Sequence, residues 1–153
     1  MELYLVQHGE AKTEAQDPER SLTEHGAADV ERVAQAVARV GIRAHHIRHS
    51  GKRRAEQTAQ ILDRHLSPQE GTVAVTGLAP KDDVEPVAKA LKGETRSLML
   101  VGHLPFLDRL TSLLVVGKPD RSIVRFRNGG VVCLSGEGDF WAVAWMVTPE
   151  CVP

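Results

Sequence analysis

Two histidines, an arginine and an aspartate stand where folded chains usually deliver reactive groups. His8 follows Leu3-Tyr4-Leu5-Val6, an apolar run of high β propensity that is too short for a helix and reads as a buried strand. His103 follows a second run of the same kind, Leu98-Met99-Leu100-Val101 with Gly102. Arg54 lies near the start of an amphipathic helix, and Asp83 precedes another. Gly9 allows the backbone to turn directly after His8. In open α/β sheets, ligands collect beyond the C-terminal ends of the strands, so both imidazoles are expected there. Two imidazoles and a guanidinium gathered at one place suit phosphoryl transfer, which asks a protein mainly for positioning and for donors aimed at the non-bridging oxygens. The planar fork of Arg54 grips two oxygens at once, and helix N-termini add free backbone N–H groups. Histidine also serves as a covalent nucleophile, and neighbouring Arg54 and Arg20 would disfavour a second cation and keep His8 neutral.

Each residue taken alone has a plainer explanation. Arg54 sits beside Lys52 and Arg53 and could belong to a solvated helix face. His103 could donate to a carbonyl near a helix start, and Arg20 could be an ordinary loop charge. Asp83 is equally suited to capping a helix. His45, His46 and His49 invite a metal hypothesis, but in a strand His45 and His49 stand about 13 Å apart. Trp141 and Trp145 fall on one face of a regular strand and read as core. The Gly-Glu-Gly segment near Asp139 is a hairpin turn and not a nucleotide fingerprint, because no helix follows it.

The elements needed to carry these groups can be laid out in order. After the first strand, residues 11–21 are charged and contain Pro18, hence loop. Thr23 caps a helix in which Val30, Val33, Ala34 and Val37 recur at helical spacing, with Gly41 at its end. Gly26 in its first turn is a mild blemish. Ile42 to His49 reads as a second strand, followed by Ser50-Gly51 as the cap of a helix reaching about His65. Ser67-Pro68 breaks the chain, and Thr72 to Thr76 alternates as a third strand. Asp82 or Asp83 caps a helix from Val84 to Lys92, with Pro86 tolerated in its first turn. Ser97 to Gly102 is the second strongly apolar strand. Pro105 fits the first turn of a helix that turns Leu107, Leu110, Leu113 and Leu114 inward. Two closing strands, Gly130 to Leu134 and Phe140 to Val147, are joined by Gly136-Glu137-Gly138-Asp139. Strands alternating with helices imply an α/β fold with a mainly parallel sheet covered on both faces and an antiparallel edge.

The chain has 153 residues, 42% apolar and 25% charged, which fits one domain spanning 1–153. A formal charge of -1 gives no bulk attraction to nucleic acid or an anionic membrane, so any anion site must be local. Two cysteines, Cys133 and Cys151, are no disulfide framework and suit a reducing compartment. No apolar run approaches the roughly 18 residues of a membrane span. A cytoplasmic location is expected.

Four segments then fall into a pattern. Gln7-His8-Gly9-Glu10, Arg20-Ser21-Leu22-Thr23 with Gly26, Arg54-Ala55-Glu56-Gln57-Thr58-Ala59, and Gly102-His103-Leu104-Pro105 resemble, in order and spacing, the histidine phosphatase superfamily. The likeness runs from Leu3 to about Trp145. The short chain and the wording of the second and third segments look most like its SixA-type phosphohistidine phosphatases. The resemblance implies a phosphoglycerate mutase-like three-layer α-β-α sandwich. It implies that His8 attacks phosphorus and carries the phosphoryl group until water cleaves it. Arg54 and His103 would hold the phosphoryl oxygens, with Gln7 and Gly9 beside the phosphate and Arg20 at the pocket rim. Asp83 falls near where larger relatives place a proton donor, although an imidazole leaving group departs easily enough to need no strong acid. No metal or cofactor is implied. The partner would be a phosphorylated histidine-transfer domain or another phosphoprotein.

Two departures stand out. Arginine usually precedes the nucleophile, and here the residue is Gln7. Exchanging a charge-assisted hydrogen bond for a neutral one costs on the order of 1 kcal/mol, roughly tenfold in binding or rate. Gly51 stands where proline commonly follows the serine, and on sequence grounds it merely loosens the helix start. Short connections between Glu10 and Leu22 and between Leu66 and Ser97 leave little chain for a lid, favouring a protruding phosphorylated side chain as substrate. A small-molecule phosphomonoesterase is the alternative enzyme. A mutase ranks lower, since it must shield its intermediate from water. Outside enzymes, the alternative is a phospho-ligand binding module that lost turnover through Gln7.

Overall fold

Period-two and helical apolar patterns become six strands and four α-helices in the computed structural model, which describes residues 1–153. In chain order they are β1 (Glu2–Gln7), α1 (Glu24–Arg39), β2 (His46–His49), α2 (Arg53–Leu66), β3 (Thr72–Ala74), α3 (Glu85–Leu91), β4 (Leu98–Gly102), α4 (Phe106–Val116), β5 (Val131–Glu137) and β6 (Phe140–Val147). The sheet order is β3-β2-β4-β1-β5-β6. The pairs β3–β2, β2–β4 and β4–β1 are parallel, whereas β1–β5 and β5–β6 are antiparallel.

Strand alternation sorts the core into two layers. On one face Tyr4 and Val6 of β1, Ile47 of β2 and Met99 and Val101 of β4 meet Val30, Val33 and Val37 of α1 and Ala55, Ala59 and Leu62 of α2. On the other face Leu3, Leu5, Leu98 and Leu100 meet Ala88 and Leu91 of α3 and Phe106, Leu107 and Leu110 of α4. The result is a three-layer α-β-α sandwich with β1 and β4 at its centre. Their register sets Gln7 opposite Gly102, and His8 N–H donates to the Gly102 carbonyl at 3.1 Å. Both strands therefore release their histidines at the same sheet end.

Several boundaries differ from the sequence expectation. Strand pairing begins only at His46, because residues 42–45 bridge the end of α1 to the sheet; there His45 N–H donates to the Ser97 carbonyl at 2.8 Å. The third strand is shorter than read, since β3 is an edge that pairs with β2 alone. Ser50-Gly51 does not cap α2; the N-cap is Lys52, without a side-chain hydrogen bond. Ahead of α3, Val84 is the N-cap; the Asp82 carboxylate instead accepts from Ala79 N–H at 2.9 Å. The closing turn is only Gly138-Asp139, with Gly138 at φ 63° as a tight hairpin requires. Trp141 and Trp145 do not share a face. A register shift between Cys133 and Leu134 pairs those residues with Trp145 and Val143, so the bulge sends Trp145 to the Tyr4 side and Trp141 to the Leu134 side.

Candidate active site

The site forms where β1 and β4 end and α2 begins. The His8 Nδ1–H donates to the Gly9 carbonyl at 2.7 Å, leaving the Nε2 lone pair free. Arg54 Nε–H approaches that Nε2 to 3.3 Å, which is possible only with an unprotonated nitrogen. The rings of His8 and His103 are 5.0 Å apart, centroid to centroid, and tilted by 53°. His103 is 1% exposed; its Nε2 meets Ser50 Oγ at 2.6 Å, and its Nδ1 is buried without a hydrogen-bond partner.

Electrostatics favour neutral imidazoles. Burial lowers the His8 pKa to about 4, helped by the Arg54 and Arg20 charges and opposed by the hydrogen bond to Gly9. Burial likewise lowers His103 to about 3, with His8, Arg54, Lys52 and Arg20 contributing in turn. Arg54 is itself lowered, by burial and then by Arg20. Such a cluster of cations around uncharged rings is a receptor for an anion.

One helical turn of α2 holds this arrangement together. Arg54 reaches His8, Gln57 Oε1 accepts from Leu22 N–H at 2.7 Å, and Thr58 Oγ1 accepts from Gly9 N–H at 3.0 Å. Thr58 returns its own proton to the Arg54 carbonyl at 2.8 Å. Ala55 and Ala59 are fully buried beneath the turn. Thus the run Arg-Ala-Glu-Gln-Thr-Ala supplies a site group, two loop anchors and a packing face at helical spacing. Thr58 and Gln57 acquire these roles only in three dimensions, since the sequence shows a threonine and a glutamine with many possible partners.

From the other side, Asn128 Nδ2 donates to the His8 carbonyl at 3.1 Å, and Gly129 N–H donates to the Gln7 carbonyl at 2.9 Å. Sequence reasoning passed over Asn128; the Asn-Gly-Gly that begins there was the available turn signal. Glycine is also obligatory below His8. A Cβ on Gly9 would lie 2.8 Å from Val30 Cγ2, and one on Gly26 would lie 2.2 Å from the Glu10 carbonyl oxygen. Gly26 is therefore the contact that seats α1 against the histidine loop.

Arg20 sits in a chain segment folded back by the Ala11–Leu22 bridge, at the unusual φ of 52°. Its Nε–H donates to the Lys12 carbonyl at 3.0 Å. With Lys52, Arg53 and Arg54 it lines a cleft of about 450 Å³ that also includes Glu14, Glu19 and Glu56. Gln7 shares the face of Leu3 and Leu5 by strand alternation, and its Oε1 is buried without a partner.

Asp83 makes no hydrogen bond to His8, Arg54 or His103. Its Oδ1 accepts from Glu85 N–H at 3.0 Å, and it borders a groove of about 870 Å³ between α3, α4 and Trp141 that none of His8, Arg54 and His103 lines. Elsewhere His45 and His46 face Glu70 at 3.2 and 3.8 Å, whereas His49 Nδ1 accepts from Gly51 N–H at 3.1 Å. No helix is long and apolar enough to cross a membrane.

Comparison with known proteins agrees with this geometry. Residues 3–75 match the family model of the histidine phosphatase superfamily (branch 1). An uncharacterized protein from Picosynechococcus sp. is 30% identical over 142 residues, covering 88% of this chain and 84% of its own. Among solved structures, the protein histidine phosphatase SixA complexed with tungstate aligns with a TM-score of 0.87 at 21% identity, covering 98% of each chain. SixA from Agrobacterium tumefaciens gives 0.79 at 24% identity, covering 97% of each. A mycobacterial glucosyl-3-phosphoglycerate phosphatase complexed with VO3 gives 0.72 at 16% identity, covering 94% of this chain and 97% of its own. Site and fold together define an α/β anion-handling protein built around a histidine at the end of its central strand. The chain belongs to the histidine phosphatase superfamily, and its fold is the one shared by the SixA structures.

Proposed function

We propose that this protein is a phosphatase with His8 as nucleophile, acting on phosphohistidine carried by another protein. The observation that carries the reading is the state of His8: Nδ1–H engaged by Gly9, Nε2 unprotonated, and a guanidinium 3.3 Å from that nitrogen. In the first step the Nε2 lone pair forms a bond to phosphorus as the phosphorus–nitrogen bond of the substrate breaks, and the departing imidazole takes up a proton from solvent. In the second, water attacks the phosphorus on His8. The Nε2–phosphorus bond breaks, inorganic phosphate leaves, and the water proton passes to solvent. Arg54 and His103 offset charge on the non-bridging oxygens, and Arg20 guides the anion from the rim. Gln7 and Gly9 flank the phosphate. Asp83, engaged with the start of α3, is left out of the mechanism, in keeping with a leaving group that requires no strong acid.

Support for a protein substrate comes from the likeness to SixA, a structure of which was solved with tungstate, and from the short connections, which leave little chain for a lid. The partner expected is a phosphorylated histidine-transfer domain or a similar phosphoprotein, with no metal or cofactor taking part. The test is turnover of such a phosphodomain against a panel of sugar and nucleotide phosphates, with rapid-quench trapping. An acid-labile, alkali-stable phosphoryl group on His8, lost together with turnover in His8→Ala, is the expected result. Preference for the small esters would make the protein a phosphomonoesterase. Ligand protection against heat with no covalent label would make it a binding module.

A further inference from the structure

We propose that Ser50 is a positioning residue that fixes the tautomer of His103, so that this imidazole presents Nδ1–H to the bound phosphoryl group. The inference rests on the pocket being the phosphate site proposed above. Ser50 Oγ lies 2.6 Å from His103 Nε2 and also accepts from Lys52 N–H at 3.3 Å. A hydroxyl has one proton and two lone pairs, so with a lone pair occupied by Lys52 the proton is free for Nε2. His103 is buried among His8, Arg54, Lys52 and Arg20, all of which oppose its protonation, and a neutral ring carries a single proton. If Nε2 accepts from Ser50, that proton resides on Nδ1.

Nδ1 is the atom that finds no partner inside the protein. A buried donor without a partner is costly, and it becomes useful where an anion arrives to accept from it. The opposite tautomer would turn a lone pair toward the anion and repel it.

The loop carrying Ser50 is built for this contact. Gly51 has φ of +88°, and its N–H donates to His49 Nδ1 at 3.1 Å at the buried end of β2. A Cβ there would meet nothing closer than Ala74 Cβ at 3.9 Å, so it is the sign of φ, not lack of space, that requires glycine. Proline can supply neither that φ nor an N–H. Gly51 therefore does more than loosen a helix start, since it fixes the backbone from which Ser50 reaches His103.

The experiment is long-range proton–nitrogen NMR of the wild-type protein labelled with nitrogen-15 histidine, together with tungstate titrations of Ser50→Ala and Ser50→Thr. Expected are a protonated Nδ1 and an unprotonated Nε2 for His103 in the wild type, with a mixed or reversed tautomer in Ser50→Ala. Tungstate affinity should fall about tenfold in Ser50→Ala, the size of one hydrogen bond, and return to within about twofold in Ser50→Thr. A wild-type ring protonated on Nε2 overturns the proposal, whether or not either variant folds. So does a Ser50→Ala protein with unchanged tautomer and affinity. If tautomer and tungstate behave as expected but no phosphoramidate or phosphoester is turned over, the proposed activity falls and the role of Ser50 stands. Normal turnover with the wrong tautomer gives the reverse.

Discussion

At His8, reactivity depends on which nitrogen keeps its proton. Tethering Nδ1–H to Gly9 and directing Arg54 at Nε2 leaves Nε2, the nitrogen proposed to attack phosphorus, unprotonated, and burial reinforces this by lowering the pKa to about 4. Protonation removes the lone pair, so the acid limb of kcat/KM is expected near pH 4 and not near the ordinary 6.5 of histidine. Initial rates on a phosphohistidine domain between pH 3.5 and 8, corrected for acid hydrolysis of the substrate, check this. A limb at pH 6 to 7 would show that the ring is solvated in the working enzyme. Gln7 raises a separate question at the same scale. Its Oε1 is a buried acceptor with nothing to accept, which would make it a poor neighbour for the phosphate of the proposed reaction. Gln7→Arg should therefore equal or improve kcat/KM, by up to about tenfold. A clear loss in steady-state kinetics would mean that the pocket is shaped for a different ligand.

Among the elements, α1 and α2 do most to place the site. The α1 helix was legible because its signals are local: Thr23 accepts from Gly26 N–H at 2.9 Å as a cap, the valines recur at helical spacing, and Gly41 closes it at φ 86°. The importance of Gly26 was not legible, because the Glu10 backbone that presses on it belongs to another segment. Gly26→Ala is expected to cost about 3 kcal/mol or more, since the clash is with main chain that cannot rotate away. Urea denaturation of the variant measures it, and a loss below 1 kcal/mol would mean that the histidine loop yields easily. The start of α2 was misread for a related reason. Serine before a helix ordinarily caps it, but the hydroxyl of Ser50 is taken by His103, a residue that only folding brings near. The paired face of Trp141 and Trp145 failed at a bulge, which a strictly alternating pattern cannot announce.

For the molecule as a whole, burying two neutral imidazoles couples stability to pH. In the unfolded chain both titrate near 6.5, whereas in the folded protein they titrate at about 4 and about 3. Between those values the unfolded chain binds protons that the folded chain does not, so their contribution is complete above about pH 6.5 and is lost as pH falls toward 4. Denaturant midpoints from pH 7.5 to 4 should decline through that window. His103→Asn should flatten the decline, and an unchanged slope would show that other groups carry the pH dependence. The same burial follows from topology. The chain adds strands in the spatial order β3-β2-β4-β1-β5-β6, placing β1 and β4, which run into His8 and His103, side by side in the middle of the sheet.

The sequence by itself determined the two central strands, the helices that cover them and the side-chain chemistry on which the proposed phosphoryl site rests. Those features follow from local apolar period, caps and side-chain chemistry. Only the tertiary structure decided that His8 and His103 meet, that the Asp83 carboxylate engages the start of α3, and that Ser50, Thr58, Gln57 and Asn128 serve as the supports of the site. A hydrogen bond is made between atoms within about 3 Å of each other, and the chain order of residues 46 or 120 positions apart does not say which donor will find which acceptor.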